Sequence, residues 1–278
     1  MKHTEKVAKN LLVFLGGCLL TLGIFSSAWS LHAGLQCAAC HQLTDGEGEN
    51  GTPVVVTNDP TLSESTFCLT CHDAAFDVTG LSLPHVLNGG QGLAAGSFTP
   101  TTFSDEVGHN ILSIDRENDL TPPGGVSLNA FGCLSCHDAH DNGNYRNLKK
   151  QINGRSTIVE AAGDPRYQEN VYISGMNDFC GACHERFNRT GSSRGARGWL
   201  QHPVGIRIAG ARHADFNHWS GLANRVTQAE HPSGNSTDLH GARVFCLSCH
   251  QAHASPYKNA LRWDYSENTR GCLECHSF

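Results

Sequence analysis

Apolar residues are spread thinly along this chain and seldom fall into a regular period. The exception is a continuous apolar run from Leu11 to Phe25, preceded by Lys2, Lys6 and Lys9 and followed by Ser26-Ser27-Ala28-Trp29-Ser30. Positive start, apolar stretch and small residues in that order read as an export signal, so residues 1–30 are expected to be removed, after Ser30 or after Ala28. A retained membrane anchor is the alternative. Lipidation at Cys18 is disfavoured, because the residues after it stay apolar through Phe25. Beyond the signal no stretch sustains the alternation of a sheet, and Val54-Val55-Val56 is the best candidate for a short strand. The expected elements are short helices at cysteine-containing sites, joined by long loops.

Those sites carry the chemistry. Six times a Cys-x-x-Cys is followed at once by His: Cys37-Cys40-His41, Cys68-Cys71-His72, Cys133-Cys136-His137, Cys180-Cys183-His184, Cys246-Cys249-His250 and Cys272-Cys275-His276. This is the attachment signature of c-type haem. Two thiols add to the vinyl groups, and the adjacent imidazole becomes the proximal ligand of the iron. A zinc site or a thioredoxin-like redox pair also uses Cys-x-x-Cys, but neither requires the following His. Six covalently bound haems are expected, with the twelve cysteines binding the cofactor and the six histidines binding iron.

Composition agrees. Of 13 cysteines, only Cys18 lies outside the motifs, so the mature chain keeps none for a disulfide framework. Removing residues 1–30 from 278 leaves 248, about 41 per motif. Hydrophobic residues are 39% of the chain, with 30 Gly and 10 Pro. A chain of this length ordinarily buries a large apolar interior; here porphyrin faces must supply much of it. The fold class expected is a multihaem cytochrome c, mostly loops and short helices around a chain of six haems, with minimal β-structure. Formal net charge is −6, and no basic patch suits nucleic acid.

The motifs fall into three pairs, spanning residues 37–72, 133–184 and 246–276, within one hexahaem domain at 31–278. Gly132 to His140 parallels Phe245 to His253, and Tyr145-Arg146-Asn147-Leu148 parallels Tyr257-Lys258-Asn259-Ala260-Leu261. An internal repeat of this kind implies a row of haems rather than one buried cluster. Residues 150–176 and 210–240 are not explained by it. The acidic stretch 45–50 lacks the ligand spacing of a calcium loop and reads as an exposed turn.

The second axial ligand decides the function, because an open iron permits catalysis and a closed one carries electrons. Of 17 histidines, ten remain after the proximal six and His3. His140 and His253 are the leading distal ligands: each stands three residues after a proximal His, where a helical turn makes the two rings neighbours. His109 and His202 follow the second motif of their pairs in apolar settings. His85 and His32 come next, with His240 in reserve. His213, His218 and His231 are expected at the surface. Only Met176 remains for a His/Met site, so potentials are expected to be low.

These residues resemble the doubled-CXXCH multihaem cytochromes, and more narrowly the hexahaem outer-surface, OmcS-type cytochromes of metal-reducing bacteria, which polymerise into conductive filaments. The resemblance rests on Leu31-His32, Gly108-His109-Asn110-Ile111, Pro122-Pro123-Gly124-Gly125, Cys136-His137-Asp138-Ala139-His140, Met176-Asn177-Asp178-Phe179-Cys180, His202-Pro203 and Cys249-His250-Gln251-Ala252-His253. It implies bis-histidyl haems in a near-linear stack, continued into neighbouring copies. One departure is Thr44, where filament relatives tend to have a His after the first motif; Thr cannot replace an imidazole.

The expected role is electron transfer, not enzymatic turnover, by an exported protein at the outer surface or extracellular, alternatively periplasmic. Its expected partners are other copies of itself, other multihaem cytochromes and extracellular or periplasmic electron acceptors. A monomeric shuttle is the second reading. A reductase of a small oxidised nitrogen or sulfur compound is the third, and it needs one haem without a distal ligand.

Overall fold

The computed structural model describes residues 32, 41–42, 54–55, 64–74, 84–88, 95–104, 106–111, 122–125, 131–162, 171–187, 202–208, 229–235, 238, 240–267 and 270–275. The expected export signal, Cys18, Cys37, Cys40, Thr44, His213, His218 and His276 lie outside them.

Within the described residues the helices are short and sit on the motifs. They are α1 (Glu64–Cys71), α2 (Cys133–Cys136), α3 (Met176–Gly181), α4 (Cys246–Cys249) and α5 (Arg270–Leu273). A four-residue helix gains almost nothing from cooperativity and must be held at its ends. In α2 and α4 the serine of Cys-Leu-Ser-Cys does part of this. Ser135 Oγ accepts from the Gly132 N–H at 3.0 Å, and Ser248 Oγ from the Phe245 N–H at 3.0 Å. Both helices stop at the second cysteine: His137 and His250 are extended, at φ −108 and −109.

Strands are brief. β1 (His41–Gln42) pairs antiparallel with β2 (Val54–Val55), His41 opposite Val55, so the expected short strand forms at Val54–Val55. The segment 150–176, unexplained by the repeat, contains β3 (Gln151–Ile152), β4 (Arg155–Ser156), β5 (Glu160–Ala162) and β6 (Val171–Ser174) in two antiparallel ladders. Asn153 and Gly154 turn β3 into β4 with φ of 51° and 74°, the positive-φ pair that suits a two-residue hairpin.

Burial is divided among three clusters, each touching an attachment cysteine. Leu69, Phe98, Ile111 and Ala254 pack with Cys133. Tyr145, Leu148, Val159, Tyr172, Met176, Phe245 and Leu247 pack with Cys180. Ile208, Ala229, Ala242 and Val244 pack with Cys275. His231, expected at the surface, is 6% exposed. Its backbone N–H donates to the Tyr172 carbonyl at 2.7 Å, which draws it into the cluster region beside β6.

The second cluster is tied by one buried amide. Asn144 Nδ2 donates to the Leu148 and Thr157 carbonyls at 3.0 and 3.1 Å, while its Oδ1 accepts from the Val159 N–H at 2.8 Å. Asn144→Ala strands these groups in a site 3% exposed. It is expected to cost about 3 kcal/mol, read as a lower denaturant midpoint with unchanged slope.

Candidate functional site

Eight histidines share one arrangement. Among the motif histidines, Nδ1 of His72 donates to the Pro84 carbonyl at 2.8 Å and that of His137 to Arg146 at 3.0 Å. His184 donates to Pro123 at 2.9 Å and His250 to Asn259 at 2.8 Å. Among the others, His32 donates to Ala139 at 3.1 Å, His109 to Ala252 at 2.6 Å, His202 to Pro203 at 3.0 Å and His253 to Gly96 at 3.2 Å. A carbonyl only accepts, so Nδ1 carries a proton in each, and the neutral form of a ring so bonded presents the Nε2 lone pair that a metal ligand needs. Burial holds His72, His109, His137 and His250 below the usual histidine range and His253 down at about 3, which keeps these rings neutral.

Three pairs of these rings face each other. His72 stands 6.0 Å from His32, His184 is 6.0 Å from His109, and His137 is 6.3 Å from His253, between ring centres. Each pair joins one motif histidine to one other histidine. Two imidazoles bound through Nε2 to opposite sides of one metal, at about 2.0 Å each, set their ring centres about 6 Å apart. The spacing, the tautomers and the two cysteines beside each motif histidine therefore fit haem c. Among the described residues no group of three or more His, Cys, Asp or Glu converges as a zinc site would.

The chain supplies each carbonyl locally or from a neighbouring motif. After His137 and His250 it turns through Tyr145–Asn147 and Lys258–Ala260 and returns alongside, with Leu148 opposite His137 and Leu261 opposite His250. Arg146 and Asn259 adopt positive φ, 50° and 60°, as their carbonyls turn to the rings. The structural repeat thus matches Tyr145 with Lys258, one residue away from the Tyr257 match read from sequence. The His-x-x-His segments also differ from expectation. They follow the helix in extended chain rather than on a helical turn, because the return segment bridges to the histidine. His140 is exposed and His253 half-buried.

The turn Pro122–Gly125 serves His184: Pro123 accepts from its ring, and the Gly124 carbonyl accepts from the Arg186 N–H at 3.0 Å. A Cβ at Gly125 would strike the Cys183 carbonyl. The β3–β4 hairpin closes the other side of that motif. Asn153 Nδ2 donates to the Ala182 carbonyl at 3.0 Å, and Arg155 pairs with Glu185 at 2.6 Å.

The remaining predicted ligands are dispersed. His85 lies close enough to His72 to interact electrostatically; His202 and His240 are exposed. Among the described residues no second ring faces His250. The thiols run in sequence order through space. Cys68 contacts Cys133, Cys136 interacts with Cys183, Cys180 contacts Cys246, and Cys249 interacts with Cys275 and Cys272. Sequence reasoning missed the carbonyl partners, since a backbone oxygen leaves no residue signature.

Residues 240–278 match the family model described as doubled CXXCH motif. The C-type cytochrome OmcS of Geobacter sulfurreducens is 23% identical, over 86% of this chain and 81% of that protein. The solved structure of the Outer Membrane Cytochrome S filament from the same organism is similar, with TM-score 0.51 and 20% identity over 83% of this chain and 84% of that one. The chain shares the fold of the OmcS filament subunit and resembles the doubled-CXXCH multihaem cytochromes, and its CXXCH motifs support covalently bound haem c.

Gly125→Ala is expected to push the Pro122–Gly125 turn off Cys183 and cost about 1–3 kcal/mol, as overpacking does. Thermal unfolding followed in the Soret band measures it.

Proposed function

We propose that this protein carries electrons at the outer surface or extracellularly through six bis-histidyl haems, arranged as a row, and that it does so as a subunit of a cytochrome filament. The observation that carries the reading is the set of three facing imidazole pairs, each with both Nδ1 atoms donating to backbone carbonyls. Bound haem supplies a one-electron iron couple. The chain's residues do the rest: the cysteines fix each porphyrin edge, the histidines close both iron faces against small molecules, and the carbonyls hold the rings in place.

The pairs suggest how the repeat completes itself. His32 precedes the first motif and faces His72 of the second; His109 precedes the third and faces His184 of the fourth. By the same step His202, before the fifth, completes His276 of the sixth. His253 follows the fifth motif and faces His137 of the third, so His140, after the third, completes His41 of the first. His250 takes its partner from His85, His240 or a neighbouring copy. The relatedness to OmcS supports electron transfer and self-assembly, with other multihaem cytochromes and external acceptors as further partners.

Thr44 favours a second reading, a monomeric shuttle, because the repeat would use that position to reach beyond the subunit. Electron microscopy of native material separates the two: filaments with haems meeting across subunits, or single particles.

Two outcomes are expected. The mass of the mature polypeptide exceeds that of its residues by six tetrapyrroles, and a smaller excess would refute the count. His32→Ala, His109→Ala and His253→Ala each turn about one sixth of the iron high-spin and open to carbon monoxide, against none in the parent; unchanged magnetic resonance spectra would refute the pairing.

A further inference from the structure

Consecutive motif helices are joined by polar side chains at their ends. α1 packs on α2, and α3 on α4, so these contacts link the second motif to the third and the fourth to the fifth. At the first joint, Ser65 Oγ accepts from the Cys133 N–H at 3.2 Å, and Glu64 Oε1 from the Leu134 N–H at 2.9 Å. At the second, Asn177 Oδ1 accepts from the Cys246 N–H at 3.0 Å, with Cys246 Sγ 3.2 Å from the same oxygen. Ser65 stands three residues before Cys68, and Asn177 three residues before Cys180. Two different side chains at the same place thus reach the same atom, the N–H of the first attachment cysteine of the next motif.

The joint is tight as well as repeated. Ser65 is fully buried, and a Cβ at Gly132 would strike Glu64 Oε1 and Ser65 Oγ. Just past each joint the attachment thiols meet: Cys68 with Cys133, and Cys180 with Cys246. A four-residue helix whose leading N–H groups are unbonded has little to fix its direction. Held by a neighbour's side chain at its first cysteine, it is fixed relative to that neighbour's own cysteine.

We propose that Ser65 with Glu64, and Asn177, are positioning residues that set the distance and angle between adjacent porphyrins at two joints of the row. They act through the backbone N–H groups of Cys133, Leu134 and Cys246, with Asn177 also against the Cys246 sulfur. The proposal rests on the electron-transfer reading above. It goes beyond it in assigning the spacing between haems to three side chains outside the attachment signature. Because the joints are separate, their effects add.

The test uses the full mature holoprotein and Soret circular dichroism, whose exciton couplet reports coupling between neighbouring porphyrins. Haem mass, low-spin spectra and carbon monoxide exclusion are measured alongside. Ser65→Ala and Asn177→Ala are each expected to reduce the couplet, and the double variant by the sum, with full haem content and low-spin iron throughout. Ser65→Thr and Asn177→Asp, which keep an acceptor oxygen, are expected to retain it. A couplet unchanged in both alanine variants overturns the proposal. So does loss of haem in those variants, or equal loss of couplet in the conservative ones, since either marks the residues as general supports of the fold. A parent protein with no couplet, or with high-spin iron, instead refutes the underlying stack and is distinguished by that control.

Discussion

The structure depends on a single small interaction, the hydrogen bond from imidazole Nδ1 to a backbone carbonyl. It fixes the tautomer, points Nε2 away from the chain and sets the plane of the ring. It also explains how a chain with so little regular structure holds eight rings in defined places. Each carbonyl belongs to a turn or a short bridge that has other bonds of its own. Arg146 and Asn259 sit in tight turns after their motifs, and Pro123 sits in a turn locked against Cys183. Loops of this kind ordinarily have latitude. Here the Arg146 and Asn259 turns are each tied to an imidazole and, through the Lys149 and Arg262 N–H groups, to the Cys136 and Cys249 carbonyls of a motif helix.

The same economy governs burial. Among the described residues no central core forms; three small apolar clusters lie against motif cysteines. The chain's limited apolar surface is buried in these clusters, beside cysteines of the attachment signature. Polar bonds add order around them: Asn144 within the second cluster, Ser65 and Asn177 at the helix joints. Asn144 is buried with both ends of its amide bonded, which lets it specify geometry rather than weaken it.

The motifs are legible in sequence because residue type and spacing define them, and the strand at Val54–Val55 forms where the run of valines predicts it. The repeat, too, is visible, but only to within a residue, since aromatic identity at Tyr145 and Tyr257 outweighed the backbone register that the carbonyl bonds impose. The placement of His253 opposite His137 could not be read. His-x-x-His suggests neighbours on a helix, whereas His137 and His250 are held extended by their bridges to Leu148 and Leu261. Residues 150–176 carry no motif; among the described ones, contacts with Ala182, Glu185 and Asn144 and the burial of Val159, Tyr172 and Met176 give them a role. His231 has the polar surroundings of a surface residue in sequence and is buried by one backbone bond to Tyr172. The spatial order of motifs is likewise invisible, because it is written in side chains such as Asn177 that look like ordinary loop residues.

The pairing of His137 with His253 has a temporal side. In the proposed ligation, a chain exported N-terminus first would deliver residue 137 long before residue 253, so the third site would wait half-finished while more than a hundred further residues arrive. The second site, served by His32, would close as soon as its own motif emerged. Sites would therefore close out of sequence order, the second before the first and the fourth before the third. Until His253 arrived, the third would keep one iron face open, and its shielding in that interval would matter as much to this protein as the fold it ends in.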